Sequence, residues 1–122
     1  MKPMLAKKME EDQFDLILGK GYYQPKLDGV RLVWDGNEAL SRNQKPILGM
    51  PRLINELKKY FSDIPLDGEL YLHGSSFQKA LGSIRRTVNI QENEDIKYWV
   101  YDTPLLNSQF GDRLQILLLE MF

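Results

Sequence analysis

The sequence predicts an α+β fold in which twisted antiparallel strands carry helices packed on the outside. Two turn signals, Asp28-Gly29 and Asp35-Gly36-Asn37, separate short segments of strand-forming residues. Farther along the chain, apolar residues recur at helical spacing after Pro51, a residue that suits the first turn of a helix. The 122 residues suffice for one modest domain with a hydrophobic core.

The first predicted strands form a hairpin. Tyr22 to Leu27 and Val30 to Trp34 flank Asp28-Gly29, a dipeptide whose tolerance of positive φ favours a two-residue turn. In the second of these strands, Val30, Leu32 and Trp34 alternate with Arg31 and Val33, so the first three lie on one face. We therefore expect one face of this strand to be buried.

The later segments alternate between strands and helices, each indicated by its own periodicity and by its flanking turn or cap residues. In order, we expect a third strand of a meander over Glu38 to Arg42, a helix from Pro51 that buries Leu53, Ile54, Leu57, Tyr60 and Phe61, a strand over Leu66 to Leu72, a helix from about Ser76 through Ile84, an acidic loop over Asn89 to Asp95, and a strand over Lys97 to Asp102.

The last predicted helix is apolar on nearly every side. Asp112 is expected to cap it, and its apolar residues are Leu114, Ile116, Leu117, Leu118, Leu119, Met121 and Phe122. A helix that is apolar all round requires a covering surface. We therefore expect that the domain continues or that a partner covers this helix.

Composition excludes several functional classes. The formal net charge of −1 excludes a strongly basic nucleic-acid coat protein. The absence of cysteine excludes disulfides, a cysteine nucleophile and a thiolate metal site. The single histidine, His73, excludes a multi-histidine metal site and is expected to be structural or exposed. Because no signal-peptide or membrane-spanning run occurs, we expect an intracellular protein, cytoplasmic or nuclear.

The stretch Lys26-Leu27-Asp28-Gly29-Val30-Arg31 carries the strongest chemical signal. A lysine amine becomes a nucleophile when it loses its proton, which partial burial or a nearby cation promotes. Arg31 is such a cation, and its guanidinium can also bind a phosphate through two hydrogen bonds. Taken alone, the same stretch fits an ordinary surface hairpin with a solvated lysine.

Further motifs follow in order, namely Ser41-Arg42, Asp67-Gly68-Glu69 and Tyr101-Asp102. With Lys26 to Arg31 as a KxDGxR motif, the chain resembles the covalent nucleotidyltransferases, and specifically the small ATP-dependent DNA ligases of viruses and phages. Pro3-Met4-Leu5-Ala6 also resembles the opening of many such ligases. The resemblance implies that the fold is the N-terminal part of an adenylation domain.

The resemblance also implies roles for the matching residues. Lys26 would attack the α-phosphorus of ATP and hold AMP, which would then pass to the 5′-phosphate at a nick in duplex DNA. Arg31 and Arg42 would bind phosphate or the nick termini, and Glu69 would bind the ribose or a divalent metal ion. Tyr101 would stack on adenine, whereas Gln24 and Pro25 would border the base. The expected cofactors are ATP and Mg²⁺, because phosphoryl transfer requires neutralised charge at the leaving pyrophosphate.

Other residues keep two interpretations. Arg85 and Arg86 either follow the DNA backbone or form a solvated helix end. A basic groove of Arg31, Arg42, Arg85 and Arg86 would favour DNA contact. Trp99 and Tyr101 lie two residues apart on one strand, so core packing is the simple interpretation of both. We expect packing for Trp99, and stacking for Tyr101 because the resemblance favours it.

Departures from the family pattern limit the assignment. The Glu-Gly and Lys-x-Lys motifs that follow in the family are not found after Asp102, and neither is the oligonucleotide-binding barrel. Lys7-Lys8 and Lys58-Lys59 are adjacent pairs and are expected to be solvated. We therefore expect residues 1–122 to form a partial adenylation domain, and a second polypeptide that completes it is an expected partner. The alternatives are a fragment of an RNA ligase or a capping-type guanylyltransferase, or a non-catalytic remnant that binds nucleotide or DNA.

Overall fold

The structure is a computed structural model that describes residues 24, 27–74, 77–104, 109 and 111–113. The elements bounded within these residues are β1 Val30–Trp34, β2 Ala39–Leu40, α1 Pro51–Tyr60, β3 Leu66–Tyr71, α2 Phe77–Ile84 and β4 Lys97–Asp102. The structure confirms, to within a residue or two, the strands predicted at β1, β3 and β4. It likewise confirms the helices predicted from Pro51 and from about Ser76, which are α1 and α2. Ser76, the expected cap of α2, lies outside the described residues.

The four strands form one antiparallel sheet in the order β2-β1-β3-β4. β1 and β3 are central, and β2 and β4 lie at the two edges among the described strands. This arrangement, with α1 and α2 beside the sheet, confirms the predicted α+β class. The meander between β1 and β2 is also confirmed, although β2 is only two residues long.

The turn between β1 and β2 forms as predicted. Asp35 accepts hydrogen bonds through Oδ1 from the backbone N–H groups of Asn37 (2.8 Å) and Glu38 (2.6 Å). Gly36 has φ of 99°, in the left-handed region that glycine adopts without steric cost. A side-chain acceptor and a permissive residue therefore close this turn together.

The predicted hairpin around Asp28-Gly29 is not observed in the described part of the chain. Most of the segment Tyr22 to Leu27 lies outside the described residues, and Gln24, Leu27 and Asp28 are not in a strand. β1 begins at Val30, and its described partners are β2 and β3. The described residues therefore show no hairpin turn between strands at Asp28-Gly29, and the rest of this prediction lies outside them.

The hydrophobic core lies between one face of the sheet and α1. Leu32, Trp34, Leu66 and Leu70 are at most 1% exposed, and they pack with Leu57 of α1 and with other buried residues of the same cluster. The expected burial of one face of β1 is confirmed at Leu32 and Trp34, and Val33 on the other face is also only 1% exposed. The second face of β1 is thus also covered at this position.

Helix α1 begins at Pro51, as predicted, and receives its N-terminal cap from a distant loop. Met50 at the cap position makes no side-chain hydrogen bond, but the backbone N–H of Arg52 donates to Oε1 of Glu92 at 2.7 Å. This contact satisfies one of the free amides at the helix N-terminus. The expectation that Tyr60 is buried is wrong, because its side chain is 63% exposed beside the ammonium group of Lys59.

The segment between α2 and β4 forms an irregular loop, as predicted, and Asn89 has a positive φ of 49°. Asp112 lies inside a helical turn at 111–113, where its amide donates to the carbonyl of Gln109, so it is not the predicted cap. The remainder of the predicted last helix lies outside the described residues. In the part of the chain described here, no helix has the length and apolarity needed to cross a bilayer.

Candidate active site

The sheet face opposite the core cluster carries charged side chains on its central strands. Arg31 of β1 is the cross-strand partner of Glu69 in β3, and Val33 is the partner of Asp67. Because successive residues of a strand point to opposite faces, Arg31, Asp67 and Glu69 share one face. We call this face, together with Tyr101 of β4, the site face.

Arg31 and Asp67 form a bidentate ion pair on the site face. Nε of Arg31 donates to Oδ1 of Asp67 at 3.0 Å, and Nη2 donates to Oδ2 at 2.6 Å. The two side chains are 20% and 12% exposed. The hydrogen bonds to Asp67 raise the pKa of Arg31 above its usual value, so the guanidinium stays charged. Two parallel bonds also fix the plane of the guanidinium group.

Tyr101 lies at a β-bulge beside this ion pair. Asp67 pairs with Asp102 and Gly68 pairs with Val100, so Tyr101 is an extra residue with no partner in the ladder. Its hydroxyl donates to Oδ1 of Asp67 at 3.5 Å, and its ring centroid lies 5.8 Å from Cζ of Arg31. Burial and the neighbouring carboxylate of Asp67 raise the pKa of Tyr101 to about 12, so the phenol remains protonated at neutral pH.

Gly68 permits the close approach of β4 that produces this arrangement. A Cβ atom at this position would lie 2.3 Å from the backbone oxygen of Trp99 and 2.9 Å from Cα of Val100. Only a residue without a side chain fits there. Glycine in a strand interior often marks such an approach or a bulge, and here it marks both.

Glu69 reaches toward the segment that precedes β1. Its Oε2 lies 3.2 Å from the position that a Cβ atom of Gly29 would take, and Gly29 is three residues after Lys26. Burial raises the pKa of Glu69, and the carboxylates of Asp67 and Asp28 add to this effect, while Arg31 opposes it. Its carboxylate accepts no hydrogen bond from another described residue, so it is available to a ligand hydroxyl or cation.

Gln24, which the resemblance places beside the base, contacts β4 next to the site face. Its Nε2 donates to the carbonyl oxygen of Tyr101 at 3.1 Å, across 77 positions of sequence. Lys26 and Pro25, the predicted nucleophile and its neighbour, lie outside the described residues. The structure thus brings together Gln24, Arg31, Glu69 and Tyr101 among the predicted site residues.

The other predicted basic residues are exposed elsewhere. Arg42 is in the turn after β2, and no hydrogen bond or ion pair links it to a described residue of the site face. Arg85 and Arg86 follow α2, where Arg86 donates from Nη1 to the carbonyl of Asn89 at 3.5 Å. No described contact joins these three residues to Arg31 in one groove. Their role in DNA binding stays a prediction.

Trp99 is not packed in the core, contrary to expectation. Its side chain is 51% exposed, and its ring meets Tyr71 edge-on at 6.5 Å between centroids. The reason is that β4 is the last of the described strands and Trp99 projects from the site face, which no described helix covers. His73 is exposed, as predicted, and its Nδ1 lies 3.5 Å from the hydroxyl of Tyr71.

A metal ion has a limited set of potential ligands on the site face. Among the residues described, no group of three or more His, Cys, Asp or Glu side chains is arranged to hold a metal ion. Asp67 is already occupied by Arg31, which leaves Glu69 as the available carboxylate. Magnesium sites often combine one or two carboxylates with substrate phosphates. The donor set therefore fits an ion that arrives with a nucleotide.

Sequence reasoning missed the role of Asp67 and the ion pair at the end of β4. Asp67 lies two residues before Glu69, and this spacing in a strand was enough to place both on one face. Nothing in the sequence indicated that Arg113 would donate to Oδ1 of Asp102 at 2.8 Å. That contact connects the segment after β4 to the strand end beside Tyr101.

Comparison with known proteins identifies relatives of this chain. The family model described as ATP dependent DNA ligase domain matches residues 3–118. The chain is 33% identical over 108 residues to the DNA ligase of African swine fever virus, isolate Pig/Kenya/KEN-50/1950, and the match covers 81% of this chain. It covers only 24% of the viral protein, so the chain spans about a quarter of the length of that relative.

Solved structures show the same fold at lower sequence identity. The Chlorella virus DNA ligase-adenylate matches with a TM-score of 0.71 and 21% identity, covering 99% of this chain and 43% of that chain. A structure from a study of Lig E DNA ligases and DNA binding with a minimal scaffold matches with a TM-score of 0.65 and 24% identity, covering 79% of this chain and 37% of that chain. The sheet and helices described above are therefore those of a ligase-type domain.

Proposed function

Because the chain belongs to the family of ATP-dependent DNA ligase domains, we propose that it acts in sealing nicks in duplex DNA through a lysyl-AMP intermediate on Lys26. The observation that supports this most directly is the convergence of Arg31, Asp67, Glu69 and Tyr101 on one sheet face. This face adjoins Gly29, which belongs to the same motif as Lys26.

The proposed adenylation uses the residues of the site face in distinct roles. Nζ of Lys26 attacks the α-phosphorus, a nitrogen–phosphorus bond forms, and pyrophosphate leaves with the electron pair of the broken phosphorus–oxygen bond. The ring of Tyr101 stacks on adenine, and Glu69 accepts a hydrogen bond from the ribose. Arg31 stabilises phosphate charge with its permanently charged guanidinium. Magnesium bound with ATP would neutralise the pyrophosphate, with Glu69 as its available carboxylate ligand.

The later steps follow from the chemistry of the lysyl-AMP bond. The 5′-phosphate at a nick attacks the AMP phosphorus and releases Lys26, which leaves an activated phosphoanhydride on the DNA. The 3′-hydroxyl then displaces AMP and closes the strand. Arg42, Arg85 and Arg86 are the proposed contacts to the DNA phosphates, since all three are exposed and positively charged. A second polypeptide that supplies further phosphate-binding lysines is also part of this proposal.

A labelling experiment tests the proposed nucleophile. The purified chain is incubated with Mg²⁺ and ATP labelled at the α-phosphate, beside the variants Lys26→Ala and Lys58→Ala. Lys58 is an exposed residue of α1, which packs with the core cluster rather than on the site face. We expect label that survives denaturation on the wild type and on Lys58→Ala, and none on Lys26→Ala. Mild acid should release the label, because phosphoramidates are acid-labile.

Two results would contradict the proposal. Equal labelling of Lys26→Ala would place the adduct on another residue. Absence of label on a folded wild-type chain would show that this polypeptide does not perform adenylation by itself. If ATP still binds to that chain, measured by calorimetry, a nucleotide-binding role without chemistry replaces the enzymatic one.

A further inference from the structure

Aromatic side chains form an exposed cluster on the site face, beyond Glu69. Trp99 of β4 is 51% exposed, and its ring meets Tyr71 of β3 edge-on at 6.5 Å between centroids. The rings of Tyr71 and His73 also meet edge-on, at 6.0 Å, and the Tyr71 hydroxyl lies 3.5 Å from Nδ1 of His73. We call Tyr71, His73 and Trp99 the aromatic cluster. The proposed adenylation gives none of them a role.

The register of the sheet places a lysine beside the aromatic cluster. In the antiparallel ladder of β3 and β4, Glu69 pairs with Trp99 and Tyr71 pairs with Lys97. Because alternate residues of a strand share a face, Lys97 stands next to Trp99 on the site face, about 6.6 Å away along β4. Lys97 is exposed and also borders the cleft between β4 and α1, since its flexible stem can turn to either side of the strand.

The indole of Trp99 is held in place while much of its surface stays open. Its edge-on contact with Tyr71 is a favoured geometry for aromatic pairs and restricts the orientation of the ring. The other tryptophan, Trp34, is 0% exposed in the core, so the two tryptophans have opposite environments. A large ring that is both oriented and open needs little further ordering to bind a flat partner.

An unpaired nucleobase is the partner that fits the aromatic cluster best. Every base has a π face that stacks on an aromatic side chain, and the attached phosphate pairs with a nearby cation. One class of single-stranded RNA-binding domain uses aromatic residues on the open face of a four-stranded sheet in this way. Here Tyr71 and Trp99 lie on the adjacent strands β3 and β4 of a four-stranded sheet. Their cross-strand partners are the charged residues Lys97 and Glu69, not the aliphatic residues that a protein interface would add.

We propose that the aromatic cluster is a second nucleic-acid site, at which an unpaired base of single-stranded DNA stacks on Trp99 while its phosphate contacts Lys97. The carboxylate of Glu69, directly across from Trp99, repels phosphate, so the DNA backbone lies on the side of Lys97. This site goes beyond the proposed function, because the bases that flank a nick in duplex DNA are all paired.

The first test measures the intrinsic tryptophan fluorescence of the chain while a short oligodeoxyadenylate is added, without ATP or Mg²⁺. Trp34 is buried and Trp99 is open, so a base that stacks on Trp99 quenches only the open tryptophan. We expect saturable quenching, and the remaining emission should shift to the blue because it comes from the buried Trp34.

The second test measures the affinity of variants by fluorescence anisotropy of the labelled oligonucleotide. Trp99→Ala should weaken binding about tenfold or more, as the loss of one base–aromatic stack predicts. Trp99→Phe keeps a smaller ring and should weaken binding less than Trp99→Ala does. Lys97→Ala should reduce the slope of log affinity against log salt concentration by about 0.7, the value for one lost phosphate contact to a single strand.

Tyr60 and Lys59 of α1 provide the matched control. Tyr60 is 63% exposed, and the ammonium group of Lys59 lies 5.1 Å from its ring centroid. This pair has the same aromatic and cationic chemistry as Trp99 and Lys97, but it belongs to the helix rather than to the site face. Tyr60→Ala and Lys59→Ala should bind the oligonucleotide with the affinity and the salt dependence of the wild type.

The outcomes decide the proposal without reference to Lys26, because the oligonucleotide is bound in the absence of ATP. Absence of quenching refutes it, and so does an equal loss of affinity in Trp99→Ala and Tyr60→Ala. Emission that shifts to the blue with rising protein concentration, and that the oligonucleotide leaves unchanged, would make the cluster an interface between copies of this chain. If Trp99→Ala does not fold, as judged by its thermal transition, quenching of the wild type and the salt slope of Lys97→Ala still decide.

Discussion

Gly68 lies so close to the backbone of β4 that a single added methyl group should disturb both stability and binding. In Gly68→Ala the new Cβ would lie 2.3 Å from the backbone oxygen of Trp99. β3 and β4 would have to separate by roughly 0.7 Å to bring that contact even to 3.0 Å. Overpacking costs about 1–3 kcal/mol, and we expect the upper half of this range because backbone, not a flexible side chain, blocks the methyl group.

The predicted shift is measurable by thermal unfolding. A cost of about 2–3 kcal/mol corresponds to a fall in Tm of roughly 8–12 °C for a domain of this size. The same separation moves Tyr101 away from Asp67. The hydrogen bond from the Tyr101 hydroxyl to Oδ1 of Asp67 is already long, at 3.5 Å. We therefore also expect weaker ATP binding by Gly68→Ala, measured by calorimetry below the transition.

Gly82 provides the matched control in the middle of α2. A Cβ atom there meets nothing within 4 Å, and the backbone is helical. Gly82→Ala should therefore stabilise the protein by about 0.5–1 kcal/mol, since alanine has the higher helix propensity. The opposite signs of the two shifts are the test. A Gly68→Ala protein that melts within about 1 °C of the wild type would refute the reasoning from close approach.

Three further predictions concern other contacts. Glu69→Gln should be more stable than the wild type at pH 7 and lose this advantage near pH 4. Burial raises the pKa of Glu69 in the folded state, so the wild type loses stability as the pH rises from the usual carboxyl pKa through the raised one. Unfolding curves of the variant and the wild type that coincide at both pH values would contradict this. Glu92→Ala should cost about 1 kcal/mol through the lost cap of α1, whereas Glu94→Ala, which breaks an exposed ion pair with Arg52, should cost less than about 0.5 kcal/mol in urea unfolding. Trp34→Phe should lower the free energy of unfolding by about 2 kcal/mol or more, because it leaves a cavity and removes the 2.9 Å hydrogen bond from Nε1 of Trp34 to the carbonyl of Phe61. A loss below about 0.5 kcal/mol in urea unfolding would argue against that hydrogen bond.

Local patterns in the sequence were sufficient for the helices and for three of the strands. Pro51 and the helical spacing after it predicted α1, and the β-branched and aromatic run from Lys97 to Asp102 predicted β4. They were not sufficient for the pairing of the strands. The Asp28-Gly29 dipeptide predicted a local partner before β1, whereas one of the two described partners of β1 is β3, more than thirty residues later. Pairing at that distance depends on the whole core, which no local signal describes.

The candidate site was likewise predicted only in part, because some of its geometry depends on long-range strand pairing. Motif residues such as Arg31, Glu69 and Tyr101 were found by resemblance, whereas the role of Asp67 was missed, although its spacing of two from Glu69 in a strand was enough to place both on one face. The bulge opposite Gly68 was not predictable, because it arises only when β4 pairs with β3. Without the bulge, the register of Gly68 with Val100 continues to a direct pairing of Asp67 with Tyr101, so the bulge moves Tyr101 out of the ladder while its hydroxyl stays 3.5 Å from Asp67.

The two faces of the sheet are buried in different ways, and hydrophobic periodicity predicts the burial of only one of them. On the core face, Leu32, Trp34 and Leu70 are buried by apolar packing, which periodicity detects. On the site face, Arg31 and Asp67 contact each other and Tyr101 and are largely shielded from solvent, and Val33 is 1% exposed. Such burial requires every charge to find its partner, so it makes the face rigid at the cost of tolerance to substitution. Such a face would offer a charged ligand groups that are already oriented, and the sensitivity to substitution expected at Gly68 follows from the same close packing.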